Sequence, residues 1–232
     1  MREVRSRENY MKKYLVCVSL ALACFSTLRA QESNGADQQQ TQMATLSPGG
    51  PFKLTSSTFA NKTTLPISTI HNMIVNNVNV CSIDGSPGGN QSPELSWSGA
   101  PRGTQTFVVV AYDVTAGFTH WGMYNIAGSA TGLPANAGVA GSQFGKQIFN
   151  DFFIGAEYDG PCPPAHVAPD VHHYLFTVYA LDIELHLPSS ANFPANAERL
   201  YQALIAAGRN HHILGSASLT GLYSTTPPPP AD

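Results

Sequence analysis

Two stretches of this chain leave no polar face to turn toward water: residues 106–112 (TFVVVAY) and 174–181 (YLFTVYAL) are β-branched and aromatic almost without interruption. A strand with one wet face alternates apolar and polar residues, whereas an unbroken apolar run suits a strand covered on both sides. Both segments are therefore expected to be central strands. Residues 121–126 and 216–223 read as further strands, and the Gly and Pro between them mark loops. One helix is predicted over residues 197–207, where Leu200, Ala203, Leu204 and Ala207 share a face, Asn196 caps the start and Gly208 ends it. The expectation is a mostly β domain with sparse helix. No fixed-period repeat is visible, which excludes solenoids and propellers.

The ends of the chain read differently. Lys12 and Lys13 precede an uncharged apolar run at residues 14–25, and Ala30 offers a small residue for cleavage, so residues 1–30 are expected to be an export signal. Met11 is an alternative start. The run is shorter than the roughly 20 residues that span a bilayer, which favours cleavage over a retained anchor. A weak likeness to a lipidation motif ends at Cys24 and is the lesser alternative. Residues 31–50, rich in Gln, Ser, Asn and Gly, are expected to be a flexible leader, residues 51–224 the domain, and residues 225–232 a Pro-rich tail.

Removing residues 1–30 leaves six basic against thirteen acidic side chains, a net charge of −7. Such a surface repels phosphate backbones at long range, and no local basic patch is visible, so nucleic acid and anionic membranes are disfavoured partners. Cys17 and Cys24 fall in the export signal, which leaves Cys81 and Cys162 as a pair in an oxidising compartment. A disulfide is the economical reading, against two separate buried thiols. In the chain-entropy model it would contribute roughly 4–5 kcal/mol.

The chemistry-bearing residues gather around strand ends. Asp113 directly follows the first apolar run, and His120 opens the next strand after a short turn. Residues 158–164 (YDGPCPP) form a loop stiffened by three prolines, and its Gly160 permits close backbone approach. His172, His173 and Tyr174 open the second apolar run, and alternation puts His172 and Tyr174 on one face and His173 on the other. The Gly- and Asn-rich segment 135–151 is expected to line a site rather than only cover the surface.

Taken in order, Ser92 to Trp97 (SPELSW), Gly99 to Thr104 (GAPRGT), Tyr112-Asp113, His120-Trp121, Asn125-Ile126, Asn150 to Phe152, Tyr158 to Pro164 and His172 to Tyr174 resemble the bacterial branch of the phosphatidylethanolamine-binding proteins, also called Raf-kinase-inhibitor-like proteins. Each motif is short, but their shared order and spacing cover nearly the whole expected domain. The resemblance implies a large antiparallel sheet packed on a smaller one, with one or two short peripheral helices. It implies a shallow pocket for phosphate-type head groups or acetate-like anions. By motif position it assigns ligand contacts to Asp113, His120, His172 and Tyr174, to the Gly160 backbone N–H, and to Pro161 and Pro163 as wall. Two departures stand out: Thr115 and Gly117 replace an Asp and a Pro of the family's Asp-x-Asp-x-Pro element, and His173 replaces the Arg of its His-Arg-Tyr element. The first makes the rim one carboxylate poorer and is expected to loosen it.

Imidazole N–H groups, a phenol and a backbone amide suit phosphate oxygens, and Asp113 can fix a histidine tautomer or receive an amine. The expected partner is a small phosphorylated or carboxylate ligand. A target kinase or protease is a further partner that the resemblance implies. No Gly-x-Ser-x-Gly elbow, dinucleotide fingerprint or phosphate-cradling Gly-rich loop occurs, so neither catalytic machinery nor a cofactor is expected. The alternative is a metal-assisted hydrolase on Asp113, His120 and His172, although no His-x-x-x-His or Cys-x-x-Cys spacing favours a metal. His211 and His212 are expected to meet the carbonyls at the helix end, and His166 and His186 to be exposed.

Overall fold

The structure, a computed structural model, describes residues 50–190 and 193–227. The expected export signal, nearly all of the leader and the last residues of the tail lie outside them. The strands are β1 (Lys53–Thr55), β2 (Thr63–Thr64), β3 (Ile74–Val75), β4 (Val78–Asn79), β5 (Leu95–Ser98), β6 (Thr106–Asp113), β7 (Phe118–Ala127), β8 (Gly132–Leu133), β9 (Lys146–Gln147), β10 (His172–Leu181) and β11 (Ile213–Tyr223). A single α-helix among the described residues, α1 (Ala197–Arg209), precedes β11, and a 3-10 turn covers Ile67–Thr69.

β2-β11-β10-β6-β7-β9 form a six-stranded sheet, β1-β5-β8 a three-stranded one, and β3-β4 a separate hairpin. Pairing in the large sheet is antiparallel except where the short β2 lies parallel to β11 at one edge.

The two apolar runs are β6 and β10, and their neighbours explain their composition. Phe107, Val109 and Ala111 of β6, with Tyr174, Phe176, Val178 and Ala180 of β10, join a core shared with Leu54, Leu95, Trp97 and Leu133 of the small sheet. Val108 and Val110 face the other way, into a second core with Leu200, Leu204 and Ala207 of α1. Alternate residues of one strand thus enter different cores, and neither face can be polar. Each fully buried aliphatic side chain contributes roughly 1.5–3 kcal/mol, so these central strands hold much of the fold's stability. Gly122 of β7 lets the helix approach closely, because a Cβ there would come 2.7 Å from Ile148 and Leu200 side-chain carbons.

The helix starts as expected, with the Asn196 side chain accepting the Arg199 N–H at 3.1 Å. It runs past the expected stop. Gly208 lies inside the last turn, and His211 adopts the left-handed conformation at φ 62°. There the His211 N–H donates to Gly208 O at 3.1 Å and the His212 N–H to Ala207 O at 2.8 Å, a closure that normally uses glycine. Backbone amides rather than imidazoles therefore meet the terminal carbonyls, while His212 Nδ1 lies 2.9 Å from Asp182 Oδ1. Thr225 and Thr226, placed in the tail by composition, are tied to the domain: Thr225 Oγ1 donates to Pro163 O at 2.7 Å, and Thr226 Oγ1 accepts the His166 N–H at 2.9 Å.

Candidate functional site

The ends of β6, β7 and β10 meet the 150–157 and 158–164 loops around a cavity of about 170 Å³. Asp113, His120, His172 and Tyr174 supply its polar groups, and Phe118, Phe152, Pro163 and Pro164 much of its remaining wall, with Ala116 and Cys162. The expected polar pocket is thus walled mostly by apolar side chains.

Strand register explains the convergence. Tyr174 of β10 pairs directly with Asp113 of β6, so both side chains share a face, and His172 shares that face two residues earlier. His120 arrives by a different route. Ala111 opposes Trp121 while the next residue, Tyr112, opposes Thr119, so His120 is the extra residue of a β-bulge. A bulge re-aims side chains: Thr119 approaches Tyr201 on the helix side, whereas the His120 ring lies 4.9 Å from Phe118 in the cavity.

Asp113 is buried and organises the rim. Its Oδ2 lies 2.6 Å from His172 Nδ1, while Oδ1 accepts the Thr115 and Ala116 N–H groups at 2.8 and 3.1 Å. The Val114 N–H donates to His173 O at 3.0 Å, and the His173 N–H to Thr115 Oγ1 at 3.0 Å. The replacements at Thr115 and Gly117 therefore do not leave the rim untethered. The Thr115 hydroxyl holds a bond that joins the turn to β10, and Gly117 supplies the positive φ of 70° that closes it.

His120 Nδ1 lies 2.8 Å from the Asp159 carbonyl oxygen, which only accepts, so this nitrogen carries the proton. Burial depresses the His120 pKa below the ordinary imidazole value, outweighing its hydrogen bond to Asp159 and the nearby carboxylates. With the proton on Nδ1 and the pKa depressed, the neutral form is favoured at neutral pH, and in that form Nε2 accepts rather than donates. This corrects the expectation that both imidazoles offer N–H groups. Tyr174 supplies the donor. Its hydroxyl is the buried side-chain polar atom that finds no partner in regular hydrogen-bond geometry among the described residues, and burial, the Asp113 charge and a weak bond toward that carboxylate push its ionisation far above the usual tyrosine range.

Two expected contacts lie elsewhere. The Gly160 N–H donates to Asn90 Oδ1 at 2.7 Å instead of facing the cavity. Gly160 is required there for close packing, since a Cβ would fall 2.0 Å from Thr69 O. Pro161 is also outside the lining, and its carbonyl accepts the His71 N–H at 3.1 Å. Pro163, as expected, forms that wall together with Pro164 in place of Pro161, because the preceding residues are drawn against the Thr69–His71 backbone. Cys81 and Cys162 form the disulfide, with Cα atoms 4.4 Å apart, and fasten the loop beside the cavity.

A polar layer borders the site that the sequence did not reveal. Asp159 accepts from Asn90 at 3.0 Å and Asn150 at 2.8 Å, and its Oδ1 lies 3.3 Å from His71 Nδ1. The His71 ring stacks on Phe152 at 4.9 Å and 11°. Asn150 and Phe152 belonged to a recognised motif, but His71 and Asn90 come from distant loops and carried no signal. Among the described residues, no group of three or more His, Cys, Asp or Glu side chains forms a metal-holding cluster. The metal-assisted hydrolase reading therefore finds no support in the arrangement of Asp113, His120 and His172. No helix among the described residues is long and apolar enough to cross a membrane.

Comparison with known proteins agrees with this architecture. The family model for phosphatidylethanolamine-binding protein matches residues 55–224. The UPF0098 protein YbcL of Escherichia coli K12 is 37% identical over 150 residues, spanning 60% of this chain and 74% of YbcL. A UPF0098 protein of Methanothermobacter thermautotrophicus is 37% identical over 142 residues, spanning 59% of this chain and 84% of its own length. The crystal structure of E. coli YbcL, described as a new member of the mammalian PEBP family, superposes with a TM-score of 0.57 at 32% identity, covering 75% of this chain and 98% of YbcL. With most of the domain matched in sequence and its strands matched in space, the chain belongs to the phosphatidylethanolamine-binding protein family.

Proposed function

We propose that this family member is an exported binding protein whose cavity takes a small phosphorylated or carboxylate ligand. The observation that carries the reading is the Tyr174 hydroxyl, which has no partner in regular hydrogen-bond geometry among the described residues and is buried beside two imidazoles whose Nδ1 atoms are already engaged. A buried donor without an acceptor costs about 1–3 kcal/mol, which a ligand oxygen would recover. With His120 neutral, the matching ligand supplies an acceptor oxygen to Tyr174 and a proton to an imidazole Nε2. A monoprotonated phosphate group or a carboxylic acid does both. The apolar wall of Phe118, Phe152, Pro163 and Pro164 suits the carbon portion of such a molecule.

Because a proton accompanies the anion, affinity weakens as pH rises. The Cys81–Cys162 bridge supports export, since such bonds persist in oxidising compartments. Calorimetric titration of the purified protein with inorganic phosphate, phosphoethanolamine and acetate at several pH values tests the reading. Saturable binding that weakens with rising pH is expected, and no binding by any of the three would overturn it.

A further inference from the structure

The cavity proposed above to hold an anion stands beside two carboxylates, and each has its own histidine. Asp113 is paired with His172 at 2.6 Å. Asp159 is coupled to the site through His120, because its carbonyl takes the His120 Nδ1–H at 2.8 Å and its charge acts on the same ring. Left unmasked, that charge would oppose a bound anion.

His71 is placed to mask it. Its Nδ1 lies 3.3 Å from both Asp159 Oδ1 and Asn90 Oδ1, two acceptors, so this nitrogen carries a proton in either charge state. Its ring lies flat on Phe152, a cavity wall that in turn meets Phe118 edge-on at 4.8 Å and His120 at 5.7 Å. A cation on that ring is attracted both by the carboxylate and by the aromatic face. The other titratable groups nearby are engaged elsewhere: Asp151 accepts the Thr119 N–H at 2.7 Å, and the Tyr158 hydroxyl donates to Thr69 O at 2.9 Å. Asp159 is the charge that acts on His71, and its hydrogen bond holds the His71 proton above the ordinary imidazole range despite burial.

We propose that His71 is a positioning residue: its positive charge masks Asp159 and steadies the Phe152 wall, so that the cavity accepts an anion. The proposal rests on the anion reading and adds a regulation to it, since loss of the His71 proton would weaken the ligand without touching the groups that contact it.

Calorimetry with acetate, whose charge is constant across neutral pH, tests this on wild type, His71→Gln, His71→Arg and His71→Lys. Gln retains a donor but no charge, and should weaken acetate on the order of tenfold at pH 6 and less at pH 8. Arg and Lys restore a pH-independent cation and should hold affinity near the wild-type value, with a flatter profile. A merely structural ring would not be rescued by either cation. His71→Gln matching wild type at pH 6 overturns the proposal, as do Arg and Lys variants both as weak as Gln. Wild type failing to bind acetate and phosphate overturns the anion reading itself, so the two failures are distinct.

Discussion

Asp113 Oδ2 lies 2.6 Å from His172 Nδ1, and both residues are buried at paired strand ends. The same carboxylate holds two turn amides with its other oxygen, so one side chain both orients an imidazole and closes the β6–β7 connection. Asp113→Ala should therefore act on stability and on binding together. Removing one partner of a buried pair costs about 3–5 kcal/mol, the released amides lying at the partly exposed rim and adding little. Urea denaturation should show a loss of about 3 kcal/mol or more, and phosphate binding should vanish in calorimetry. An unchanged midpoint would mean that the pair contributes nothing in solution.

Tyr174→Phe should separate the two properties. The hydroxyl has no partner in regular hydrogen-bond geometry among the described residues and only a weak pull toward Asp113, so its removal relieves a buried polar group at almost constant shape. Stability should stay level or rise by up to about 1 kcal/mol. Phosphate affinity should fall about tenfold, since the cavity loses its neutral donor. A stability loss above about 2 kcal/mol would show that the hydroxyl is already satisfied in the unliganded protein.

The two buried histidines nearest Asp159 shift stability in opposite senses with pH. His120 has a depressed pKa, so below about 6.5 the unfolded chain binds a proton that the native ring does not, and stability falls as pH drops from 6.5 toward the native value. His71 has a raised pKa, so its contribution is full below about 6.5 and is lost as pH climbs through the native value above it. The pair alone gives a maximum near 6.5. Denaturation curves at pH 5.5, 6.5 and 8 should show His71→Gln flattening the alkaline limb and His120→Gln the acid limb. Identical profiles in both variants would refute the assignment.

What the residues disclosed in advance follows from how each constraint is encoded. β6 and β10 were visible because burial on both faces writes itself into consecutive side chains, and the shared face of His172 and Tyr174 follows from strand alternation alone. Aim was harder to see. His120 reaches the cavity through a bulge, a change of register that no pattern in residues 118–127 announces. Gly160 was assigned to the ligand by motif, yet its missing side chain serves contact with Thr69, a partner fixed only by folding. The Asn90–Asp159 bond joins positions 69 residues apart, and such long-range polar pairing leaves no local trace. The helix passed its glycine because the Schellman closure formed at His211, three residues later.

The remaining prediction concerns the bridge between Cys81 and Cys162. It closes a loop of sequence separation 81, and the chain-entropy model assigns such a loop about 4–5 kcal/mol, all of it exerted on the unfolded chain. Cys162 also lies on the cavity wall between Pro161 and Pro163, so the bridge fixes the loop that carries that wall. Reduction should then lower the urea midpoint by the equivalent of about 4–5 kcal/mol, and a Cys81→Ser, Cys162→Ser double variant should reproduce it. Below the denaturation range, the reduced protein should keep its β-sheet circular dichroism while phosphate affinity declines, because the strands are held by their own cores whereas the wall at residues 162–164 loses the bond that fixes it. Reduction without any shift in midpoint would mean that the bond does not form in solution, and with it would go the support that it lends to export.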